Sequence, residues 1–380
     1  MIPAKPVLIV GAGLAGTAYA RSLAEAGYRV EVIDRRGHIA GNAYDTIAPE
    51  GVRYHAYGPH LFHTNNERVE AWVRRFSAFI PYQHRVQALL HPSGLCVPLP
   101  INRDTVNAVH GTHIASDDEL HAFLARISTR IEHPRNAYEH LTNNIGTLLA
   151  DLFFRPYSKK MWNLDLEDLS ADVVKRIPLN LGTSDLYFPN DRFQVLPLHG
   201  YTALVANALA HPNIAVTTNR AFEAGMLKDV AFCFNSMAID EYFGAALGKL
   251  PYRSLRFHHH TAAQGEGIGT AVQVNYTDDS IYTRQTHWER LPVHRIHDTG
   301  KTRNTIEEPC DDADNNMERY YPVQTSDDRH QATYRKYQVL AAGEPNMRFI
   351  GRCGTYRYLN MDQVINQSLM DAERWIAARA

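Results

Sequence analysis

The spacing of apolar residues changes several times along this chain, and each change marks a different kind of element. Val7-Leu8-Ile9-Val10 is a short unbroken apolar run, which reads as a strand buried on both faces. A glycine turn follows, then a helix over roughly Thr17 to Ala26 and a strand from Arg29 to Ile33, together one βαβ unit. Between about Thr105 and Lys175, apolar positions recur at three and four residues, as in Leu120, Phe123, Leu124 and Ile145, Leu148, Leu149, so helices are predicted. From Ile214 to Tyr282, and again near Tyr320, β-branched and aromatic residues predominate. Ala271 to Tyr276 alternates with period two, and an antiparallel sheet is expected. The run Asp311 to Asn316 reads as an exposed loop, because adjacent acids repel when packed. A strand from Met347 to Ile350, then Gly351-Arg352 and a helix from roughly Met361, return the chain to its first domain.

The predicted class is α/β, with domains discontinuous in sequence. A Rossmann-type domain at residues 1–85 is completed by about 195–245 and 325–380; a helical domain spans 105–180; and an antiparallel sheet domain takes 85–104 and 246–324.

Charge and cysteine content exclude several functions. Lys plus Arg number 39 against 41 Asp plus Glu, a formal charge of −2, so no long-range field gathers nucleic acid or an anionic membrane. Any anionic ligand must be met by local Arg, Lys or backbone N–H groups. Cys96, Cys233, Cys310 and Cys353 lie far apart with no CxxC pair, which reads as reduced thiols. No apolar run approaches the roughly 18 residues of a membrane span, and a cytoplasmic protein is expected. His258, His259 and His260 stand in a row, but neighbours on a strand face opposite ways and no HExxH spacing accompanies them, so no metal site is expected.

Gly11, Gly13 and Gly16 form G-x-G-x-x-G between strand and helix. The first glycine permits the tight turn, the second lets a pyrophosphate approach the backbone, and the third lets helix and strand pack closely. Asp34 ends the second strand, where a carboxylate accepts hydrogen bonds from a ribose hydroxyl. The unit therefore predicts a site for the ADP half of a dinucleotide. FAD is favoured over NAD because Arg35 and Gly41-Asn42 resemble the second phosphate-contacting stretch of glutathione-reductase-like flavoproteins, with Ala40 replacing a glycine common there. A late strand ending in Gly351-Arg352, with Met361 beyond it, is the segment that returns to the flavin in such proteins.

Further blocks are similar to those of one family. Gly41-Asn42-Ala43-Tyr44, Tyr57 to Thr64 (YGPHLFHT), Tyr157 to Trp162, Lys175-Arg176-Ile177-Pro178, Gly200-Tyr201-Thr202 and Tyr252 to Leu255 resemble UDP-galactopyranose mutase. So do Tyr282-Thr283-Arg284, Tyr320-Tyr321-Pro322 and Tyr356 to Ile365, and the blocks span nearly the whole chain.

The resemblance implies three parts: an FAD domain, a helical nucleotide-carrying domain and a six-stranded antiparallel sheet closing the cleft. It implies isomerisation of a nucleotide-linked hexose, UDP-galactose or a related UDP- or dTDP-hexose, between pyranose and furanose rings. Such a reaction serves cell-surface polysaccharide biosynthesis. FAD is needed in its reduced form, with NADH or NADPH as reductant; its N5 attacks the anomeric carbon as the nucleoside diphosphate leaves, giving a covalent sugar adduct and no net redox change. Partners are the nucleotide sugar and, where the enzyme pairs, a second copy in a homodimer, with no nucleic acid or membrane.

By the same resemblance Arg284 grips the diphosphate, and Tyr320, Tyr321 and Tyr358 donate to phosphate. Phe153 and Tyr157 flank uracil, with Trp162 at the mouth of the sugar pocket and Arg176 and Tyr187 nearby. His60 and His63 lie beside the flavin, where a histidine stabilises negative charge on the reduced ring; Asn275 and Glu308, with Glu307 adjacent, match polar positions near the sugar. Each has a plainer reading as core packing, a surface ion pair or a satisfied core histidine. Three positions depart from the pattern: Asn180 where a mobile loop carries a second arginine, Phe193 in place of a phosphate-contacting tyrosine, and Asn360 in place of an aspartate. Two other functions compete: an FAD-dependent oxidoreductase acting on a small amine or alcohol, and a non-catalytic flavin-binding sensor.

Overall fold

The computed structural model describes residues 5–175, 179–180 and 182–379. Val7–Val10 is flanked on both sides in a five-stranded sheet whose order is Ile214–Thr217, Val30–Ile33, Val7–Val10, Phe232–Asn235, Met347–Phe349. Every pairing in it is parallel. Such a sheet must be covered on both faces, which is why the central run is wholly apolar. The helix Leu14–Glu25 lies against it and buries Ala15, Gly16, Ala18 and Ala20, residues small enough to let the C-terminal helix Met361–Ala377 pack closely on the other side. The strands Ile214–Thr217 and Phe232–Asn235 thus lie with the Rossmann-type domain to which 195–245 is assigned, and not in the antiparallel sheet that their composition suggests. Their composition marks them as strands, but it carries no information on strand direction.

A second sheet has seven strands, in the order Tyr321–Pro322, Tyr252–Ala263, Lys301–Asp311, Arg284–His287, Gln273–Tyr276, Val86–Leu89, Cys96–Leu99. It differs from a six-stranded antiparallel sheet in number and in one parallel pair, Gln273–Tyr276 with Val86–Leu89. Both of those strands are buried at their facing positions, so the parallel pair sits inside the sheet. The acidic run at its edge is anchored: Asp312 to Asn315 form one turn of 3-10 helix, with Asp312 accepting from Arg319 Nε at 2.8 Å.

Between residues 103 and 174 the chain forms helices Arg103–His110, Asp117–Ile127, Ala137–Leu149, Arg155–Trp162 and Ala171–Val174. Asn102, Ser116, Asn136 and Ser170 each cap one, the side chain accepting from a first-turn N–H. Gly146 breaks the third at φ +76, where a Cβ would come within 2.7 Å of the Ile127 carbonyl. A π-helical turn, Ala150–Phe154, follows. These helices and the second sheet share one core, including Val86, Leu120, Leu141, Phe153 and Leu255. A small sheet, Phe62–Thr64, Phe193–Pro197 and Phe79–Pro81, bridges to the first domain. No described helix is long and apolar enough to cross a membrane.

Candidate active site

The glycine turn has the shape a dinucleotide requires. Gly11 lies at φ +100, and a Cβ on Gly16 would stand 1.9 Å from the Gly11 carbonyl oxygen, so no larger residue fits. Gly13 opens the first helix with no side-chain cap, leaving its N–H groups to a phosphate. Gly41, at φ +54, comes so near that its Cβ would be 3.0 Å from Gly13 Cα. Asp34 accepts from the N–H of Ala12 at 2.8 Å and of Arg36 at 2.9 Å, and each oxygen keeps a lone pair for a ribose hydroxyl. Arg35 turns outward to Glu318. Its neighbour Arg36 also meets Glu318, donates to Asn42 Oδ1 at 2.8 Å and lies 4.4 Å above the Tyr57 ring. The inward cation is therefore one residue later than the sequence suggests. Uncapped helix start, paired glycines and terminal acid together fit the nucleotide half of FAD.

Beside this cradle is a cavity of about 790 Å³. It brings together His60, His63, Tyr157, Trp162, Tyr187, Arg284, Tyr321, Arg352, Tyr358 and Met361 from six separate stretches of chain. Arg284 is the cation at its centre: Nε donates to Glu307 Oε2 at 2.7 Å, and Glu307 is 1% exposed. The fork's two terminal nitrogens make no hydrogen bond among the described residues, so a bidentate anion can be taken there. Burial alone would lower the Arg284 pKa, but Glu307 beside it raises it well above the ordinary value and keeps the guanidinium charged. Tyr321 and Tyr358 stack with centroids 5.3 Å apart, Trp162 meets both edge-on, and Arg352 sits 5.5 and 5.2 Å over their rings. Burial raises the phenols of Tyr321 and Tyr187 and lifts Tyr157 to about 12, so these hydroxyls keep their protons and donate.

The histidines of the wall differ. His60 Nδ1 faces the Gly58 carbonyl at 2.8 Å, and burial holds the ring at about 4, so it is neutral. Burial, then Arg284 and His63, hold His84 at about 3. His63 has its Nδ1 2.6 Å from Asp191 Oδ2.

Other predicted residues stand elsewhere. Phe153 is buried in the core, and Phe154, the next residue, reaches the cavity instead, because the π-helical turn shifts the helix face at that point. Phe193 packs against Phe62 and Phe79 beneath Arg74 and is not among the described residues that line this cavity. Asn180 donates to the carbonyls of Ser184 and Leu186 at 3.1 and 3.0 Å, pinning its own loop. Tyr320 is buried behind Tyr57 and Phe257. Asn275 stands opposite Arg284 in register, but it is Gln273 that lines the cavity, and the Oδ1 of Asn275 accepts from Gln273 Nε2 at 3.0 Å. Glu308 points away to Arg256 and His258, while Glu307 faces Arg284, as alternation in a strand demands. Asn360 caps the C-terminal helix at the cavity edge. Arg176 lies outside the described residues. No motif or spacing marked Arg36, His84, Phe154 or Asp191; period-two alternation from Arg284 and its strand partner would have separated Glu307 from Glu308.

A nucleotide cradle opening on an arginine set among tyrosines defines a dinucleotide-dependent enzyme for an anionic substrate. The profile of the family described as UDP-galactopyranose mutase matches residues 152–358, and one described as an NAD(P)-binding Rossmann-like domain matches residues 9–76. A Klebsiella pneumoniae protein named probable UDP-galactopyranose mutase is 36% identical over 377 residues, covering 99% of this chain and 96% of its own. An Escherichia coli dTDP-fucopyranose mutase is 33% identical, covering 97% and 98%. Among solved structures, a reduced UDP-galactopyranose mutase is similar at TM-score 0.76 and 18% identity, covering 98% of this chain and 96% of that one. A putrescine oxidase variant reaches 0.55 at 14%, covering 98% and 99%. At those identities the structures speak for the flavoenzyme fold alone. This chain belongs to the UDP-galactopyranose mutase family. It is an isomerase, and its cofactor is FAD.

Proposed function

We propose that the chain interconverts the pyranose and furanose forms of a hexose carried on a nucleoside diphosphate, UDP or dTDP. The observation that carries this reading is Arg284, a buried cation whose fork opens into an aromatic-walled cavity beside the nucleotide cradle. Reduced flavin, when bound, supplies the nucleophile at the anomeric carbon and ends each turnover in the oxidation state in which it began. Gly11, Gly13, Gly16, Asp34, Gly41, Asn42 and Arg36 hold its nucleotide half, and His60, Arg352 and Met361 its ring. Arg284 takes two oxygens of the departing diphosphate, where its charge stabilises the leaving group more than the bound ester. Tyr321 and Tyr358 donate to the same group, and Tyr157, Phe154 and Trp162 shape the wall on which base and sugar lie. The helices at 103–174 carry the nucleotide in this reading, and the seven-stranded sheet closes the cleft.

The test is incubation of dithionite-reduced protein with a panel of UDP- and dTDP-hexoses, followed by chromatography for furanose products. Turnover of at least one member is expected. Bound reduced FAD with no product from any member would overturn the reading, and stoichiometric consumption of NAD(P)H would favour an oxidoreductase.

A further inference from the structure

The strand Phe62–Thr64 buries Phe62 and Thr64 and turns His63 to the other face, onto the cavity wall. There His63 is unusually well fixed. Its ring lies on Phe188 with centroids 3.6 Å apart and planes 11° from parallel, and Asp191 meets its Nδ1. Asp191 is held in turn: Oδ1 accepts from Asn65 Nδ2 at 2.8 Å, and its carbonyl accepts from Gln194 Nε2 at 2.8 Å. A carboxylate only accepts, so Nδ1 carries hydrogen and Nε2 is the nitrogen available for chemistry. Nε2 makes no hydrogen bond among the described residues. An imidazole that lines the substrate cavity and is oriented by a carboxylate at its other nitrogen is the arrangement that gives and takes protons in hydrolases.

We infer that His63, positioned by Asp191, moves the proton between the two sugar oxygens as the ring changes size. The inference rests on the mutase reading above. When the C1–O5 bond breaks, its electron pair stays on O5 and O5 takes a proton. When the ring closes, O4 supplies the pair for the new C1–O4 bond and loses its proton; reduced flavin, when bound, would satisfy C1 between the two events. One proton is taken up and one released, and no electron is gained or lost. A single imidazole whose Nε2 gives a proton to O5 and recovers one from O4 serves both sugar oxygens. His60 and His84 do not serve, since burial keeps both neutral. Asp191 fixes the ring through Nδ1 and leaves Nε2 facing the substrate.

The experiment uses the reduced holoenzyme and a nucleotide sugar labelled with 18O in the bond between C1 and phosphate. Scrambling of that label reports cleavage of the anomeric bond, which precedes any change of ring. In His63→Ala and His63→Gln, scrambling is expected to stay within about threefold of the parent while furanose formation falls roughly 100-fold or more, with partial recovery of the alanine variant in added imidazole. Asp191→Asn is expected to lower kcat about tenfold with little change in KM, because binding does not use it. Furanose formation near the parental rate in both His63 variants, or scrambling that falls in parallel with it, overturns the inference. Absence of scrambling and product in the parent enzyme overturns instead the reading on which it rests.

Discussion

Glu307→Ala isolates the pair on which the cavity's charge depends. Glu307 is 1% exposed and Arg284 is 20% exposed, the latter toward the cavity. Removing one partner of a buried pair costs about 3–5 kcal/mol, because the remaining charge is left uncompensated. Solvent in the cavity reaches the guanidinium and replaces part of what is lost, which places this case near the lower end, about 3 kcal/mol. At roughly 2 °C per kcal/mol for a chain of this size, the melting temperature should drop about 6 °C. UDP supplies the missing anion to Arg284, so the rise in melting temperature on adding UDP should be larger in the variant than in the parent. Turnover should still fall by roughly tenfold or more, since the guanidinium has lost the partner that aims it. Differential scanning fluorimetry with and without UDP, beside steady-state kinetics, measures all three. A melting temperature within 1 °C of the parent, with an equal UDP increment, would refute the claim that Glu307 compensates Arg284.

Phe193→Tyr tests whether a lost phosphate contact can be restored: the added hydroxyl enters a pocket formed by Phe62 and Phe79, so the variant should lose about 1–3 kcal/mol of stability by denaturant titration and gain no substrate affinity. A tighter KM would show that the side chain does reach the substrate. His294 is buried and held by that burial at about 4, with Nδ1 at 2.9 Å from the Pro292 carbonyl. Its folded-state value lies below the unfolded value of about 6.5, so the unfolded chain binds an extra proton between those two pH values. Its share of stability is therefore complete above 6.5 and is lost as pH falls toward 4. His294→Gln should flatten the stability profile in that window by up to about 1.4 kcal/mol per pH unit, read by urea unfolding at a series of pH values; an unchanged slope would show that the ring is not held neutral.

The dinucleotide unit was legible because its determinants are local: Gly11, Gly13, Gly16 and Asp34 act within one strand–helix–strand, and each does its work through backbone space or one carboxylate. The blocks around Arg284, Tyr321 and Tyr358 were legible as resemblance, and the cavity gathers them. The shortfalls were mostly slips of a single residue. Arg35 stands beside the inward Arg36, Phe153 beside the cavity-lining Phe154, and Glu308 beside the buried Glu307. A pattern of residue types locates a segment well, but which of two neighbours faces inward depends on strand register and on the π-helical turn after Gly146, both set by packing far along the chain. Phe193 and Asn180 show the other limit. Their neighbours in space, an aromatic core and two loop carbonyls, give each a structural task that spacing alone does not reveal.

The parallel sheet also constrains the order of events during synthesis. Val7–Val10, made first, has Val30–Ile33 on one side within a few dozen residues, but its other edge waits for Phe232–Asn235, and that strand in turn waits for Met347–Phe349. Gly351, whose Cβ would touch Ala15 at 3.2 Å, closes against the start of the first helix later still. A nascent chain emerging from the ribosome therefore displays its best-marked nucleotide motif long before it can retain the cofactor, with an unpaired apolar edge open to chaperones in the interval. Cofactor capture is consequently a late event in biogenesis, and C-terminal truncations should leave apoprotein prone to aggregation rather than a small, loaded flavodomain.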